Sequence, residues 1–113
     1  MAKEAPEIRA ILGQYIRELE KRNIHPERVI LFGSYASGSA TEWSDIDVSI
    51  ISNDLEGKGV LERQLILGRA NQDLQAPLDV IGYSNKEVIQ CEPGTLLYQI
   101  LKTGTEIPLK ELL

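Results

Sequence analysis

Residues 28–51 read RVILFGSYASGSATEWSDIDVSII, and the fold is decided here. Arg28 to Phe32 is a short apolar run stopped by Gly33, the pattern of a buried strand. Gly33-Ser34 opens a small-residue segment, Tyr35 to Ala40, with room for one or two helical turns. Ile46 to Ile51 then alternates. Ile46, Val48 and Ile50 point to one face, while Asp45, Asp47 and Ser49 point to the other.

Outward from this stretch, helices and strands alternate. On the N-terminal side, Pro6 to about Arg22 is an amphipathic helix. Ile8, Ile11, Leu12, Tyr15, Ile16 and Leu19 recur at three- and four-residue spacing, and Pro6 suits the first turn. Asn23 and Pro26 end it. On the C-terminal side, Ser52 to Gly59 is a polar loop. Leu61 to about Leu74 follows as a helix, with Leu61, Leu65 and Leu74 expected in the core. Leu78 to Ile81 forms a third strand that Gly82 is expected to end. Ser84-Asn85-Lys86-Glu87 matches a capping box and starts a helix that Pro93-Gly94 breaks. A last helix covers about Thr95 to Thr103, with Leu96, Leu97, Ile100 and Leu101 inward and Gly104 as its stop. Glu106 to Leu109 adds a short edge strand. The class is therefore α/β (α+β), a small sheet covered by helices.

The bulk properties agree with one compact unit. The chain has 113 residues, enough for one core and no second, so we expect a single domain over 1–113. No apolar run reaches the roughly 20 residues of a membrane span, and no membrane partner is expected. The charged N-terminus lacks a signal-peptide core, and one cysteine, Cys91, excludes an internal disulfide. These features lead us to expect a cytoplasmic protein. Net charge is −5, from 12 basic and 17 acidic residues. A binder of duplex nucleic acid normally carries a basic stripe, which is missing, so none is expected. If the chain handles a polyanion, metal ions must supply much of the neutralising charge.

The paired acids suggest how. Asp45 and Asp47 lie two apart on a strand, so both carboxylates leave the same face, with Cα atoms about 7 Å apart. Such neighbours repel unless a cation sits between them. Magnesium suits the role, because it takes hard oxygen ligands and keeps positions open for substrate phosphates. A third carboxylate on a neighbouring strand completes a site for two ions, and Asp79 is the one acid inside the third strand. Gly33 lets the backbone turn sharply and approach a ligand. Ser34 then stands at the start of a short helix, where N–H groups and the hydroxyl can hold terminal phosphate oxygens. A phosphate cradle beside metal-holding acids is most of what nucleotidyl transfer requires.

Gly33-Ser34 followed after ten residues by Asp45-x-Asp47 resembles the signature of the DNA polymerase β nucleotidyltransferase superfamily. The four fixed positions would occur by chance in about one chain in a thousand of this size. The short length, the N-terminal helix and Leu78-Asp79-Val80 resemble the superfamily's minimal nucleotidyltransferase (MNT) branch. That resemblance implies a small mixed sheet with helices packed on one face and the aspartates on the open face. It implies Asp45, Asp47 and Asp79 as catalytic, metal-binding residues holding Mg2+, with two ions expected. It implies Gly33 and Ser34 as contacts to ATP or another nucleoside triphosphate. Minimal members often work beside a helical HEPN-type partner, as the antitoxin of a toxin–antitoxin pair. Others resemble half of an antibiotic-modifying enzyme. The expected function is transfer of a nucleoside monophosphate, AMP from ATP by default, to a partner protein or a small molecule. The alternative is a catalytically weak module that neutralises a HEPN-type partner by binding it.

One departure bears on this choice. Many relatives carry arginines just after the Gly-Ser pair, whereas no Lys or Arg occurs between Gly33 and Ile51. Lys58, Arg63 or a partner chain is left to supply positive charge. His25, before a proline and without a nearby nucleophile, reads as a loop residue. Cys91, with no cation close in sequence, reads as a small hydrophobe. Trp43 is divided between the core edge and the site, and Tyr35 is a candidate for stacking on a base. Gly57-Lys58-Gly59 reads as a surface loop, with a flexible, phosphate-contacting loop as the alternative. A small domain offers an open face with no second wall, so a homodimer or hetero-complex is expected. The Leu96–Leu101 helix and Ile107-Pro108-Leu109 are its candidate surface.

Overall fold

The computed structural model describes residues 1–113. In chain order the elements are α1 (Ala5–Lys21), β1 (Arg28–Phe32), α2 (Ser34–Ser37), β2 (Ile46–Ile51), α3 (Val60–Ala70), β3 (Leu78–Tyr83), α4 (Asn85–Ile89), α5 (Leu96–Thr103) and β4 (Thr105–Ile107). Single 3-10 turns follow β2 and β4. The strands form one mixed sheet in the order β3-β2-β1-β4. β1 runs antiparallel to both β2 and β4, whereas β3 lies parallel to β2. The parallel pair is possible because α3 carries the chain back to the starting edge.

Alternation along each strand sorts the sheet into two faces. Val29, Leu31, Ile46, Val48, Ile50 and Ile107 form one apolar face, buried beneath Ile8, Leu12, Tyr15, Ile16 and Leu19 of α1 and Leu67 and Ala70 of α3. Each of the larger side chains contributes about 1.5–3 kcal/mol by leaving water. The Tyr15 hydroxyl donates to the Leu67 carbonyl at 2.8 Å, which ties α1 to α3 inside this layer. Burial pushes that phenol's pKa far above its usual value, so it stays a donor at any ordinary pH.

The opposite face is covered only in part. Ile30 and Ile51 are buried against Ile100 of α5, with Phe32, Ile81, Tyr83, Val88 and Leu101 around them. The main helical layer thus lies on one face, as expected, and α5 closes one end of the other because its apolar stripe needs cover. Thr95 caps α5 through its hydroxyl, and Gly104 ends it. The Ser84–Glu87 capping box forms with both reciprocal bonds.

Several expectations are corrected. α3 stops at Ala70 rather than near Leu74, and it buries Leu67 and Ala70 while Leu61 and Leu65 are exposed. Its apolar residues occupy more than one stripe, and docking against Tyr15 selects the other one. Leu74 does pack against the core. Gly82 does not end β3. A Cβ there would meet Leu55 Cδ1 at 2.6 Å and Leu67 Cδ1 at 2.9 Å, so this glycine allows close approach inside a continuing strand. α4 ends at Ile89, ahead of Pro93-Gly94. Leu96 is exposed, while Leu97, Ile100 and Ile107 are buried within the chain, which removes most of the proposed C-terminal docking surface.

Two glycines give opposite predictions. A Cβ at Gly104 would meet the Ile100 carbonyl oxygen at 2.5 Å and the Leu31 carbonyl oxygen at 2.9 Å, and neither backbone atom can move cheaply. Gly104→Ala should lower unfolding stability by about 1–3 kcal/mol through overpacking. Gly68, inside α3 with nothing within 4 Å, should gain about 0.5–1 kcal/mol on conversion to Ala. Urea denaturation midpoints measure both, and equal shifts of one sign would contradict the packing account.

Candidate functional site

Strand register brings the sequence-predicted acids together. Phe32 pairs with Asp47, and Asp47 pairs with Asp79 across the parallel junction. The two aspartates are neighbours in one rank of the sheet, on strands about 4.8 Å apart and on the face opposite α1. Asp79 is exposed on the edge strand, Asp47 is half-buried, and Asp45 is exposed just before β2.

Gly33 stands where β1 ends, against this rank. Its φ of 70° and ψ of −147° fall in a region essentially reserved for glycine. A Cβ built there would collide with a carboxylate oxygen of Asp47 and lie 2.9 Å from its Cγ. The glycine therefore makes room for the Asp47 carboxylate, a role that its place after a strand could suggest but not show. Ser34 is half-buried at the start of α2. The N–H groups of Ala36 and Ser37 donate to the Gly33 carbonyl, so the turn's own hydrogen bonds begin at residue 36. Gly38, with φ of 83°, closes the turn.

The segment leading into β2 is held by its own hydrogen bonds. Ser44 N–H donates to the Thr41 carbonyl at 3.1 Å, and Thr41 N–H donates to Ser44 Oγ at 2.9 Å. Trp43 projects from this turn with 86% of its surface exposed, two residues from Asp45, so it fills no core edge. Tyr35 instead packs against the core, its hydroxyl accepting from Lys3 N–H at 3.1 Å.

Electrostatics single out Asp47. Its carboxyl is pushed above the usual range, first by burial, then by the charges of Asp79 and Asp45, and by a hydrogen bond to Asp79 that favours the protonated form. No ion pair of the chain reaches any of the three aspartates. Hard oxygen donors that repel one another suit a divalent cation, and Asp47 and Asp79 are the pair already in contact. No group of three acid, histidine or cysteine side chains has the spacing that holds a metal outright.

The other candidates lie elsewhere. Arg63 pairs with Glu87 and donates to the Gly82 carbonyl, three residues further along β3 than Asp79. Lys58 lines a cavity with Arg22 and Arg69 beyond the C-terminal end of β2. Both cations named as possible triphosphate contacts thus sit at the end of the sheet away from the aspartates. His25 is at that end too, its N–H donating to Asp54 Oδ2 at 2.7 Å. Cys91 is half-buried beside Thr95. Two features carry no sequence signal. The Ser49 hydroxyl, next along the aspartate face, is fully buried without a partner. Asp79 also lines a cavity of about 370 Å3 between α3 and β3, with Gln64, Gln72 and Gln75.

The sequence model described as "Nucleotidyltransferase domain" matches residues 12–105, and the chain belongs to that family. A search of curated proteins gave no match. Among solved structures, the chain is similar to a protein from Sulfolobus solfataricus described as a nucleotidyltransferase, with 22% identity and a TM-score of 0.64 over 94% of this chain and 87% of that one. It is also similar to a toxin–antitoxin structure solved with AMP-PNP, with 19% identity and a TM-score of 0.54 over 88% of this chain and 77% of that one. At these identities the likeness is one of fold, and it agrees with the mixed four-stranded sheet.

Two outcomes follow from the geometry. Because folding raises the Asp47 pKa, its ionised form opposes folding, and that cost fades as pH falls through the raised value. Asp47→Asn should therefore have the higher urea midpoint at pH 7 in the presence of a chelator. The gap should close below the ordinary carboxyl value of 3.8. A gap that persists there would count against the electrostatic cause. Gly33→Ala should lose about 1–3 kcal/mol from backbone strain alone, and displacement of the Asp47 carboxylate adds to that. Thermal unfolding followed by circular dichroism reads this loss.

Proposed function

We propose, with membership of the nucleotidyltransferase family as the premise, that this chain transfers a nucleoside monophosphate, AMP from ATP, to an acceptor hydroxyl on a partner protein. The observation that carries the reading is the Asp47–Asp79 pair, held against Gly33 with no cation to neutralise it. Keeping such a pair costs stability, and nucleotide chemistry supplies a reason to keep it.

In this reading Asp45, Asp47 and Asp79 hold Mg2+, which when bound offsets the triphosphate charge and activates the acceptor oxygen. Gly33 N–H and the Ser34 hydroxyl receive the terminal phosphates. An in-line displacement puts leaving group and acceptor on opposite sides of phosphorus. With the pyrophosphate held at Gly33-Ser34 on the β1 side, the acceptor approaches from Asp79, where β3 is the free edge of the sheet. The acceptor oxygen attacks the α-phosphorus, the bond to the bridging oxygen breaks, and pyrophosphate leaves while the acceptor proton passes to Asp79 or to water.

The partner class follows the resemblance and the toxin–antitoxin neighbour: a helical HEPN-type protein, with this chain as a single-domain, cytoplasmic MNT antitoxin. No helix here is long and apolar enough to cross a membrane. A second reading, a binding module of weak activity, draws on Lys58 and Arg63 lying away from the aspartates. A homodimer or a two-chain small-molecule enzyme would likewise wall the open site.

Calorimetric titration of ATP with magnesium tests the site, using the wild-type chain and Asp45→Ala/Asp47→Ala. The expected result is magnesium-dependent binding lost in the double variant. An adenylated partner should then appear by intact mass only when the aspartates are present. Binding that survives their removal would overturn the assignment; binding seen only in a co-purified complex would favour a site that the partner completes, and none in either would favour the binding module.

A further inference from the structure

Three of the twelve basic side chains line one cavity, and none of the chemistry above uses it. It has a volume of about 390 Å3 and lies between the C-terminal end of α1, the turn after β2 and the outer side of α3. Arg22, Lys58 and Arg69 supply the positive charge, with Ile24 and Ile66 as apolar walls and Asn23 and Asp54 completing the lining. Lys58 and Arg69 take part in no ion pair. Arg22 is held by Glu18 through Nη1 alone, which leaves Nε and Nη2 free.

Asp54, the one acid in the lining, is in no ion pair with these cations, and its single charge leaves the set of three net positive. Its Oδ2 accepts the His25 N–H at 2.7 Å and lies 3.4 Å from the Ser52 hydroxyl. Asn23 takes the left-handed conformation, with φ of 63°, which turns the chain out of α1 beside the cavity. Lys58 stands between Gly57 and Gly59, where nothing lies within 4 Å of an added Cβ, so its backbone has room to adjust.

Unpaired cations around a concavity repel one another until an anion enters. Guanidinium forks bind phosphate oxygens in pairs, and the ammonium adds a point charge. A volume near the lower limit for small-molecule sites fits a compact anion better than an extended acidic peptide. We propose that this cavity binds a phosphate group, carried by a nucleotide or as free pyrophosphate, at a place separate from the aspartates. It is a second anion site and does not depend on the reaction proposed above.

The test is calorimetric titration of inorganic pyrophosphate in the presence of EDTA, at fixed ionic strength. Chelation silences any metal-dependent binding at the aspartates. Wild type and Asp45→Asn/Asp47→Asn should bind alike, while Lys58→Ala/Arg69→Ala should bind about 100-fold more weakly, roughly tenfold for each charge-assisted contact removed. Circular dichroism should show the last variant folded, because Arg69 is exposed and Lys58 lies in a loop between two glycines with open space around them. A parallel titration with AMP distinguishes a nucleotide's phosphate, which displaces pyrophosphate, from the free anion, which AMP does not displace. No binding by wild type, or equal binding by the Lys58/Arg69 variant, would overturn the proposal. Loss of binding in the aspartate variant would return the anion to the first site.

Discussion

The candidate site depends on the placing of one carboxylate. Asp47 lies between Gly33 and Asp79, pressed against a backbone that admits no side chain and beside a second acid of like charge. Nothing in the chain compensates this arrangement. It persists because the strands around it are over-determined: Ile46, Val48 and Ile50 are wholly buried on the reverse face, so β2 cannot slip by a residue without turning its apolar set into water. The hydrophobic layer under α1 and α3 therefore stabilises the electrostatic strain of the other face.

Much of this was legible in the sequence, for definable reasons. β1 and β2 were bounded correctly because each is a short apolar or alternating run between turn residues. The Ser84–Glu87 box announced its helix because capping is local chemistry. The Gly33-Ser34 and Asp45-x-Asp47 spacing pointed to the candidate site. What stayed hidden depends on distant partners. α3 has apolar residues on more than one side, so only contact with α1 could choose Leu67 over Leu61 and Leu65. The crowding that requires glycine at position 82 comes from Leu55 and Leu67. The adjacency of Asp47 and Asp79 needed the parallel register, which no single strand records.

Charge is divided between the ends of the sheet. Acids gather where β1 ends and β2 and β3 begin, and three cations gather around the cavity beyond the end of β2. That separation explains why the basic residues nearest to the motif in sequence are remote from it in space. The basic character is local to the cavity, since Glu18 pairs with Arg22 and Asp54 stands in the lining.

The sheet order has a consequence for synthesis on the ribosome. β1 sits inside the sheet, with β2 on one side and β4 on the other, and its partners on the β4 side are Thr105, Glu106 and Ile107. Until Thr105 to Ile107 emerge, Val29 to Leu31 therefore present an unpaired strand edge on the growing polypeptide. Such edges invite pairing with other chains. The final strand is only three residues long, yet its arrival seals that edge with Glu106 outward and salt-bridged to Arg28. The nascent chain is thus most prone to mispairing along β1 before Thr105 to Ile107 emerge.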